Sequence, residues 1–435
     1  MIPFLLYAAI FVGAFLIVGF IRKRTAIRDY TSLKTVTFGD ESAVRSNRAA
    51  SIVSVVTIFF MWGTFTGSAL VPSFLHMPGP FVGDGQFEVT VQAPDGRRDT
   101  ATVLWRVSQD DDAAEPEIDP GAGFARNDAL VIRKYRSGQL RWDSNDEEKR
   151  KKGALIVAID GVPVKFDHNK RDENGTIIDV KPVIETANAS VTFTDKGALS
   201  IAPAKGMQME PIWLPPPEAV WSRFLEISRD GYQGSTLWEH LGYSLFRVVV
   251  GFICGAVVGI PLGYAMGLSD WFRGWFDPIV EFMRPVPPLA LIPLVIIWAG
   301  IGEAGKIILL FLAALWIMAI AARSGVSGVK ISKVHAAYSL GASKRQIMRH
   351  VIVPNSLPEI FTGARVAMGV CWGTVVAAEL VAASQGTGMM IMVASKFQLT
   401  DIVIMGIILI GIIGFGIDML MRWAERVLVP WKGKG

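Results

Sequence analysis

Residues 335–354 read His-Ala-Ala-Tyr-Ser-Leu-Gly-Ala-Ser-Lys-Arg-Gln-Ile-Met-Arg-His-Val-Ile-Val-Pro and lie between two apolar segments. The pattern predicts a short helix over Ala336–Leu340. Gly341 is expected to end that helix, because glycine readily takes the left-handed conformation found just after a helix C-terminus. The stretch therefore begins with a helix and a tight turn.

A second helix is predicted to begin at Ser343. Gln346 follows three residues later, and this spacing is typical of a capping box, in which each side chain bonds to the backbone N–H of the other residue. Pro354 is expected to end this helix, because proline lacks the N–H that a helix interior requires. The whole stretch is thus predicted to be a capped helical hairpin.

The charges around the hairpin predict its side of a membrane. No acidic residue occurs between Glu303 and Glu359. The basic residues in this interval include Lys330, Lys333, Lys344, Arg345 and Arg349. Because cytoplasmic loops carry an excess of Lys and Arg, the hairpin is expected in the cytoplasm. The residues alone leave two interpretations open: a docking element for another protein, or an ordinary cytoplasmic loop.

The composition of the chain is that of a polytopic membrane protein. Of its 435 residues, 51% are hydrophobic, and its mean hydropathy of +0.39 is too high for an ordinary soluble protein. The formal net charge of +4 is small and lies mostly in loops and ends. It fits a protein surrounded by the lipid bilayer, and it argues against nucleic-acid binding.

The apolar segments predict an all-α polytopic fold with about seven transmembrane helices, each near the ~20 residues needed to cross a bilayer. The predicted spans are residues 3–21, 50–72, 240–267, 276–300, 305–323, 361–383 and 402–424. The first span has no basic residue before it and no small-residue cleavage site after it. We therefore interpret it as a retained helix and not as a signal peptide.

Loop charges also predict the orientation. Residues 22–48 carry seven basic and three acidic residues, so this loop is expected in the cytoplasm and the N-terminus in the periplasm. Counting forward through the spans places residues 74–213 in the periplasm. The C-terminal tail is then cytoplasmic and holds Arg422, Arg426, Lys432 and Lys434.

Residues 74–213 differ from the rest of the chain and predict an inserted β-rich domain. They are charged and contain alternating stretches at Phe87–Gln92 and Ser190–Thr194, which are typical of strands. Turns are expected at Pro94-Asp-Gly and at Asp160-Gly161. The acidic run 110–112 and the basic run 149–152 are expected to be solvated loops.

Two transmembrane segments carry distinctive residues. Five glycines recur every fourth residue in the span 240–267 and predict close packing against another helix. They are Gly251, Gly255, Gly259, Gly263 and Gly267. The span 276–300 is interrupted by Arg284-Pro-Val-Pro-Pro, and prolines in mid-span free backbone groups that must be satisfied inside the protein or along a water-filled path.

The interrupted span supplies candidates for a translocation pathway. Arg284 and Pro287 lie at the interruption, and Arg284 either meets an anion or pairs with Glu281. Glu379 lies in the sixth apolar span, where an ionisable group needs a partner or water, so it is either a buried pair or part of the lumen. Arg365 is expected to extend to the cytoplasmic surface.

The segment Gly300-Ile-Gly-Glu-Ala-Gly-Lys306 fits G-x-G-x-x-G and most of a phosphate-binding loop. The context excludes a nucleotide site, because Ile307 replaces the Ser or Thr that binds magnesium and no strand precedes the segment. No Ser/His/Asp, Cys/His or metal-ligand constellation is found in the 74–213 insert. The sequence therefore predicts a protein that is not an enzyme and has no cofactor.

The hairpin resembles the EAA loop of bacterial ABC importer membrane subunits, which inserts into a groove of the ATPase subunit. The residues that carry the resemblance are Ala336, Ala337, Gly341, Val351, Val353 and Pro354. One position departs from the family pattern, because His335 stands where the family usually has Glu. The resemblance assigns ATPase coupling to the hairpin residues His335, Ala336, Ala337, Gly341, Ala342, Ser343, Val351 and Pro354.

From about Pro215 onward the chain resembles the permeases of the taurine and aliphatic-sulfonate (nitrate-sulfonate-taurine) ABC importers, and most of all the taurine permeases. The residues that carry this resemblance are Gly231–His240, Arg284–Ala290, Trp298–Glu303, Ser339–Ser343, Leu357–Gly363, Val376–Leu380 and Pro430–Gly433. It implies a type I ABC importer permease fold. The expected divisions are an extra N-terminal helix and basic loop (1–49), the first family helix (50–73), the insert (74–213) and the permease core (214–435), whose coupling loop is 330–360.

The resemblance also implies partners and a substrate. The permease is expected in the bacterial inner membrane. The expected assembly contains two copies of the permease, two cytoplasmic ATPase subunits that bind ATP and Mg, and a periplasmic solute-binding protein. The expected substrate is taurine or a related sulfonate. Alternatives are an importer of nitrate, another sulfonate or an aromatic carboxylate, and a membrane-anchored periplasmic sensor or scaffold whose working part is the insert.

Overall fold

The computed structural model describes residues 2–25, 48–109, 113–167, 170 and 179–431. The acidic run 110–112, most of the predicted basic loop 22–48, and Lys432 and Lys434 of the tail lie outside the described residues. The chain divides into two compact units, Met1–Pro211 and Ile212–Gly435.

The first unit begins with two apolar helices, α1 (Ile2–Thr25) and α2 (Arg48–Thr66), which contact each other. The sequence predicted that the second of these would continue to residue 72, but it ends at Thr66. The next residue, Gly67, has a φ of +65°, which stops the helix. A short 3₁₀ turn at Ser73–Leu75 then leads into the strands.

The rest of the first unit forms two β-sheets, which confirms the predicted β-rich insert. Its strands are β1 (Gly83–Gln92), β2 (Arg98–Ser108), β3 (Asp128–Arg133), β4 (Gly138–Leu140), β5 (Leu155–Ile159), β6 (Val162–Pro163), β7 (Ile184–Glu185), β8 (Ala189–Phe193) and β9 (Leu199–Pro203). One sheet has the order β3-β2-β1-β5-β6 and the other β4-β9-β8-β7. Only the β2–β3 pair is parallel among the described strand pairs.

Alternation along the strands places apolar side chains in one core. Phe87, Val89 and Val91 of β1 point to the same side and are buried, because successive strand residues point to opposite faces. The same core includes Trp105 of β2 and Ile201 of β9. All its buried members lie between residues 87 and 201, so the insert has a hydrophobic core of its own.

The second unit is helical. Its helices are α3 (Pro217–Asp230), α4 (Leu237–Leu268), α5 (Asp270–Met283), α6 (Ile292–Ala299), α7 (Glu303–Ser327), α8 (Ile331–Ser339), α9 (Lys344–Ile347), α10 (Val353–Ala382), α11 (Thr387–Lys396) and α12 (Thr400–Leu428). Among the described residues four stretches are long and apolar enough to cross a membrane: 237–268, 303–327, 344–381 and 400–428. The predicted number of seven spans stays a prediction.

The predicted span 276–300 is broken. Helices α5 and α6 meet at an angle of 94° around residues 284–287, and the two together count as one further candidate span. Pro285, Pro287 and Pro288 explain the break, because none of them has an N–H to donate to a helix. Two shorter apolar helices, Ala9–Ile21 and Ala50–Thr66, lie in the first unit.

The glycine spacing in α4 packs that helix against α7, as predicted. A Cβ added at Gly251, Gly255 or Gly263 would overlap Leu310, Ala314 or Ala319 of α7 and its neighbours. These positions repeat every four residues on α4, so they form one face that admits a neighbouring helix backbone. Helix α10 also packs on α7, where Gly363 lies against Ala321 and Gly325 against Ser356.

Candidate functional site: the hairpin and the buried charges

The first half of the hairpin forms as its capping residues dictate. Helix α8 begins at Ile331, five residues before the predicted start, and Leu340 follows its last residue. Gly341 has a φ of +80°, and its N–H donates to the carbonyl of Tyr338 at 2.9 Å. The next N–H, of Ala342, donates to the carbonyl of Ala337 at 3.1 Å. The predicted left-handed turn at Gly341 is confirmed.

The second half begins with the predicted capping box. Ser343 Oγ accepts from the backbone N–H of Gln346 at 3.4 Å, and the backbone N–H of Ser343 donates to Gln346 Oε1 at 2.8 Å. Both residues are exposed, so this local pair and not packing defines where α9 begins.

The prediction that Pro354 ends the helix is wrong. A wider π-helical turn over Met348–Ile352 joins α9 to α10, and Pro354 lies in the first turn of α10. The side-chain Nδ2 of Asn355 donates to the carbonyl of Val351 at 2.6 Å. A π turn beside proline relieves the clash that proline would otherwise make in a regular helix. The apolar stretch Lys344–Val381 therefore runs from the hairpin across the unit as one candidate span.

The hairpin presents an exposed apolar tip. Leu340 is 88% exposed, and beside it lies an open groove of about 320 Å³. The groove is lined by Ala337, Leu340, Gly341, Ala342, Gln346, Ile347, His350 and Val351. Of the predicted coupling residues, His335, Ala336 and Ser343 are exposed outside the groove. The carbonyl of Pro354 accepts from Trp431 Nε1 at 3.1 Å.

Glu379 is a member of a buried ion pair, one of the two interpretations that the sequence left open. Its side chain is fully buried and lies 2.6 Å from Nη1 of Arg247 on α4, which is also buried. Ser244 Oγ donates to the same carboxylate at 2.8 Å, and the backbone N–H of Gly388 donates at 3.0 Å. These contacts join α4, α10 and the start of α11.

Arg247 has a second carboxylate partner. Its Nε and Nη2 donate to Glu303 Oε2 and Oε1 at 2.6 and 2.7 Å, a two-bond fork that suits a guanidinium. Lys306 Nζ lies 2.9 Å from Glu303 Oε1. Glu303 and Lys306 belong to the segment rejected as a phosphate-binding loop. Sequence reasoning missed Arg247, although an arginine inside an apolar segment was a signal that could have found it.

Arg284 and Pro287 lie together on a cavity, and Glu379 is not among its lining residues. The cavity has a volume of about 240 Å³ and is formed by residues 283–288 and 291 of the broken span, residues of α7 and Val370 of α10. Arg284 is largely exposed, and its Nη1 lies 3.8 Å from Glu281. Glu281 also lies 3.0 Å from Arg323 of α7. The structure therefore unites two of the three predicted pathway residues.

Arg365 does not extend freely to the surface as expected. Its Nε lies 3.2 Å from Asp418 of α12, and its Nη1 lies 3.9 Å from Glu425. Asp418 also pairs with Arg422 at 2.7 Å. Arg365 thus joins α10 to α12 by ion pairs between partly buried side chains.

The insert contains a separate group of buried carboxylates. Asp128 and Asp146 are both buried. Burial, together with the negative charge of Asp146, raises the pKa of Asp128 to about 7. Burial also raises the pKa of Asp146 to about 6, although the backbone N–H of Arg126, 2.6 Å away, acts in the opposite direction. Within the described residues no group of three or more His, Cys, Asp or Glu side chains could hold a metal ion.

Comparison with known proteins assigns the helical unit to a family. Residues 255–429 match the family described as "Binding-protein-dependent transport system inner membrane component". The taurine transport system permease protein TauC of Escherichia coli is 47% identical over 227 residues, which are 52% of this chain and 82% of that protein. The putative aliphatic sulfonates transport permease protein SsuC of Escherichia coli is 38% identical over 50% of this chain and 81% of its own length.

A solved structure described as inward facing conformations of the MetNI methionine ABC transporter also matches. It is 21% identical and covers 43% of this chain and 94% of its own, with a TM-score of 0.37. The assignment to a family depends on the sequence relatives and not on this likeness.

Subunits of the kind found among these relatives are membrane components and not enzymes. A separate ATPase hydrolyses ATP for them, a substrate-binding protein delivers their substrate, and permeases of this type carry no cofactor. The chain belongs to the binding-protein-dependent transport system inner membrane components, and it is the multi-pass permease subunit of an ABC importer of the taurine and sulfonate group.

Proposed function

We propose that this permease imports taurine or a related sulfonate, which a periplasmic binding protein delivers. Two copies of the chain form the membrane part of the importer, and two ATPase subunits dock on their cytoplasmic hairpins. The chain itself needs no cofactor, since ATP and Mg bind to the ATPase. The substrate follows from the 47% identity to a taurine permease, which exceeds the identity to the sulfonate permease, 38%.

The observation that carries the docking role is the form of the hairpin. Gly341 and the Ser343–Gln346 capping box fix the turn between the two hairpin helices locally, and Leu340, just before Gly341, is exposed. Leu340, together with the exposed Tyr338 and Ile331 of α8, supplies an apolar surface beside an open groove that a partner can bury. Closure of the ATPase dimer on ATP then moves the hairpin, and the membrane helices change between two packed states.

A sulfonate is a fixed anion, so its path needs a cation. Arg284 supplies one at the cavity formed by the break between α5 and α6. Its pairing with Glu281 is at 3.8 Å and largely exposed, so a sulfonate that enters the cavity competes with a weak partner. Pro287 shapes the same cavity because it prevents a continuous helix. Glu379 has a structural role in this proposal, because it is buried in an ion pair with Arg247.

The proposed topology has seven membrane helices, with α1 and α2 as the first two. The N-terminus and the insert then lie in the periplasm, and the hairpin and the C-terminus lie in the cytoplasm. The basic residues of the hairpin and of the predicted 22–48 loop support this orientation. Cysteine labelling of the insert from outside intact cells, compared with labelling of a Lys344→Cys variant, tests it.

Uptake measurements test the substrate. Proteoliposomes that hold the permease, its ATPase and its binding protein should accumulate labelled taurine when ATP is supplied. Competition by close taurine analogues, and not by nitrate or aromatic carboxylates, is the expected result. Absence of taurine uptake, together with ATP hydrolysis that a loaded binding protein stimulates, would retain the importer and exclude taurine as its substrate.

The insert favours a second candidate function, that of a periplasmic sensor or scaffold. Its core is closed within residues 87–201, so it does not depend on the helical unit for burial. A chain that lacks residues 77–211, with a short linker in their place, discriminates between the candidates. Unchanged uptake shows that transport does not need the insert, whereas lost uptake with intact assembly assigns the insert a part in docking or gating.

A further inference from the structure

The segment that resembles a phosphate-binding loop, residues 300–306, has another use in the fold. It contains the first turn of α7, and its Glu303 forms the two-bond fork with Arg247. Four charged side chains meet here: Arg247, Glu303, Lys306 and Glu379. Their formal charges sum to zero.

This charge cluster lies at the end of the unit opposite the hairpin. Helix α7 runs from Glu303 to Ser327, and the hairpin follows its last turn. Its 25 residues correspond to a length of about 37 Å. Helix α10 runs the other way and reaches Glu379 near its C-terminus. Given the proposed cytoplasmic hairpin, the cluster faces the periplasm.

The two carboxylates differ in burial. The Glu379 side chain is fully buried and bonded by Ser244 and Gly388 in addition to Arg247. The Glu303 side chain is 47% exposed. If the ends of α4 and α7 separate, water can replace the contact of Arg247 with the exposed Glu303. Loss of the contact of Arg247 with Glu379 would instead leave a buried charge without its ionic partner.

The cluster can also divide without creating an unpaired charge. When the Arg247–Glu303 fork opens, Arg247 keeps Glu379 and also its bond to the carbonyl of Gln385, 2.8 Å away. Glu303 keeps Lys306, which lies one turn later on the same helix. Each half is a neutral ion pair. The other two ion pairs of the cluster are Arg247–Glu379 and Glu303–Lys306. Opening the first would deprive the buried Glu379 of its cation, and opening the second would deprive the buried Lys306 of its carboxylate.

The backbone around Glu303 is suited to local movement. Gly300 has a φ of +73°, and Gly302 and Gly305 flank Glu303. The close packing of α4 on α7 begins directly after this first turn, where a Cβ at Gly251 would meet Leu310 and the carbonyl of Ile307. The first turn of α7 can therefore move while the rest of the α4–α7 contact stays closed.

We propose that the Arg247–Glu303 fork closes the periplasmic end of this permease and that it opens with the first turn of α7 during the transport cycle, while the Arg247–Glu379 pair stays intact. Glu303 is thus a positioning residue for transport. The inference rests on the proposed importer function and on the cytoplasmic position of the hairpin.

Ala378 provides a reporter for the opening. It is buried with Val295 and Leu309, and it lines a small cavity with Gly300 and Lys306. Movement of the first turn of α7 uncovers it. An Ala378→Cys variant, made in a chain whose Cys254 and Cys371 are replaced by alanine, should react slowly with a membrane-impermeant maleimide in nanodiscs that contain the complete complex.

Two comparisons test the proposal. The introduced thiol should react about tenfold faster in vanadate-trapped complex than in nucleotide-free complex, and Glu303→Gln should give a similar acceleration without nucleotide, because the fork loses its charge. Glu303→Asp, which keeps the charge, should restore slow labelling. Asp418→Asn is the matched control: Asp418 is a similarly exposed carboxylate, 38% exposed, that pairs with an arginine of another helix. It should leave labelling unchanged.

Equal labelling of the introduced thiol in both nucleotide states would overturn the proposal, as would equal labelling in the chains with and without the Glu303→Gln change. Taurine uptake is measured on the same preparations. Accelerated labelling without taurine uptake rejects the substrate and supports the fork, whereas normal uptake without a change in labelling rejects the fork and supports the importer.

Discussion

Gly255 of α4 lies so close to Ala314 of α7 that a Cβ at position 255 would overlap the alanine Cβ and the carbonyl of Phe311. The two helices meet backbone to backbone at this point. In a bilayer, where lipid chains are as apolar as leucine, such close packing supplies much of the attraction between helices.

Gly255→Leu should therefore separate α4 from α7 and lower the stability of the detergent-solubilised chain by about 1–3 kcal/mol, which is typical of overpacking. The thermal midpoint of the unfolding transition measures the change. Gly242→Ala is the matched control, because Gly242 lies on the same helix with nothing within 4 Å of its would-be Cβ. A midpoint lowered equally by both substitutions would contradict the packing assignment.

Gly341→Pro should uncouple ATP hydrolysis from uptake. Proline cannot adopt the φ of +80° found at Gly341, so the turn and the position of Leu340 are lost. Uptake per ATP hydrolysed should fall about tenfold or more, given a strain of about 1–2 kcal/mol for left-handed non-glycine residues and more for proline. Gly341→Asn, which tolerates this conformation, should keep most of the coupling. Normal coupled uptake by the proline variant would exclude the docking role.

The Arg247–Glu379 pair should show strong non-additivity. Arg247→Met alone leaves a buried carboxylate without its main partner, and Glu379→Leu alone leaves a buried guanidinium with Glu303 as its remaining carboxylate partner. Each single change should cost about 3–5 kcal/mol of stability, whereas the double change should cost less than the larger of the two. Thermal unfolding of the three variants measures this, and additive losses would contradict a direct pair.

The insert should fold without the helical unit. A fragment of residues 77–211 contains every buried member of the core between residues 87 and 201. We expect it to give a cooperative unfolding transition and dispersed amide resonances in solution. Trp105→Ala should remove about 3–5 kcal/mol from its stability, because Trp105 is fully buried in that core. A fragment without cooperative unfolding would contradict an independent core.

The stability of this fragment should fall as the pH rises from about 4 to about 7. The folded-state pKa of Asp128, about 7, and that of Asp146, about 6, lie above the ordinary value of 3.8. The folded state therefore binds more protons than the unfolded state in this window, and its stability decreases with increasing pH.

Asp128→Asn should flatten that pH dependence and raise stability at pH 8, because the amide stays neutral. Urea unfolding at pH 5 and pH 8 provides the measurement. Asp95→Asn is the control, since Asp95 is an exposed carboxylate whose pKa the Arg97 hydrogen bond lowers. Stability that does not change between the two pH values in the unaltered fragment would contradict the raised pKa values.

Local signals made the hairpin predictable. Gly341 and the Ser343–Gln346 pair act within a few residues, so their geometry follows from sequence alone. Pro354 shows the limit of such rules, because the π turn before it and the side chain of Asn355 let the helix continue. Whether a proline ends a helix depends on whether its neighbours satisfy the backbone hydrogen bonds that the proline leaves open. The proline alone does not determine this.

The sequence could have marked Arg247 as an unusual residue, but it does not predict that Arg247 pairs with Glu379. Arg247 lies 132 positions earlier in the chain, and only the packing of α4 and α10 on α7 brings the two together. The four-residue glycine spacing predicted close packing but not which helix fills the space. By contrast, Arg284 and Glu281 are three residues apart at the end of α5. The sequence therefore predicts their ion pair as one of two alternatives, the other being an anion bound to Arg284.

The continuity of the helix through Pro354 makes the hairpin mechanically asymmetric. On one side, residues 344–381 form one continuous helical stretch, so a movement of the second hairpin helix reaches α10 without an intervening loop. On the other side, α7 ends at Ser327 and α8 begins at Ile331, with Gly328 and two further residues as a joint between them. A partner that contacts the second hairpin helix therefore moves α10 directly, whereas one that contacts α8 reaches α7 only through this three-residue joint.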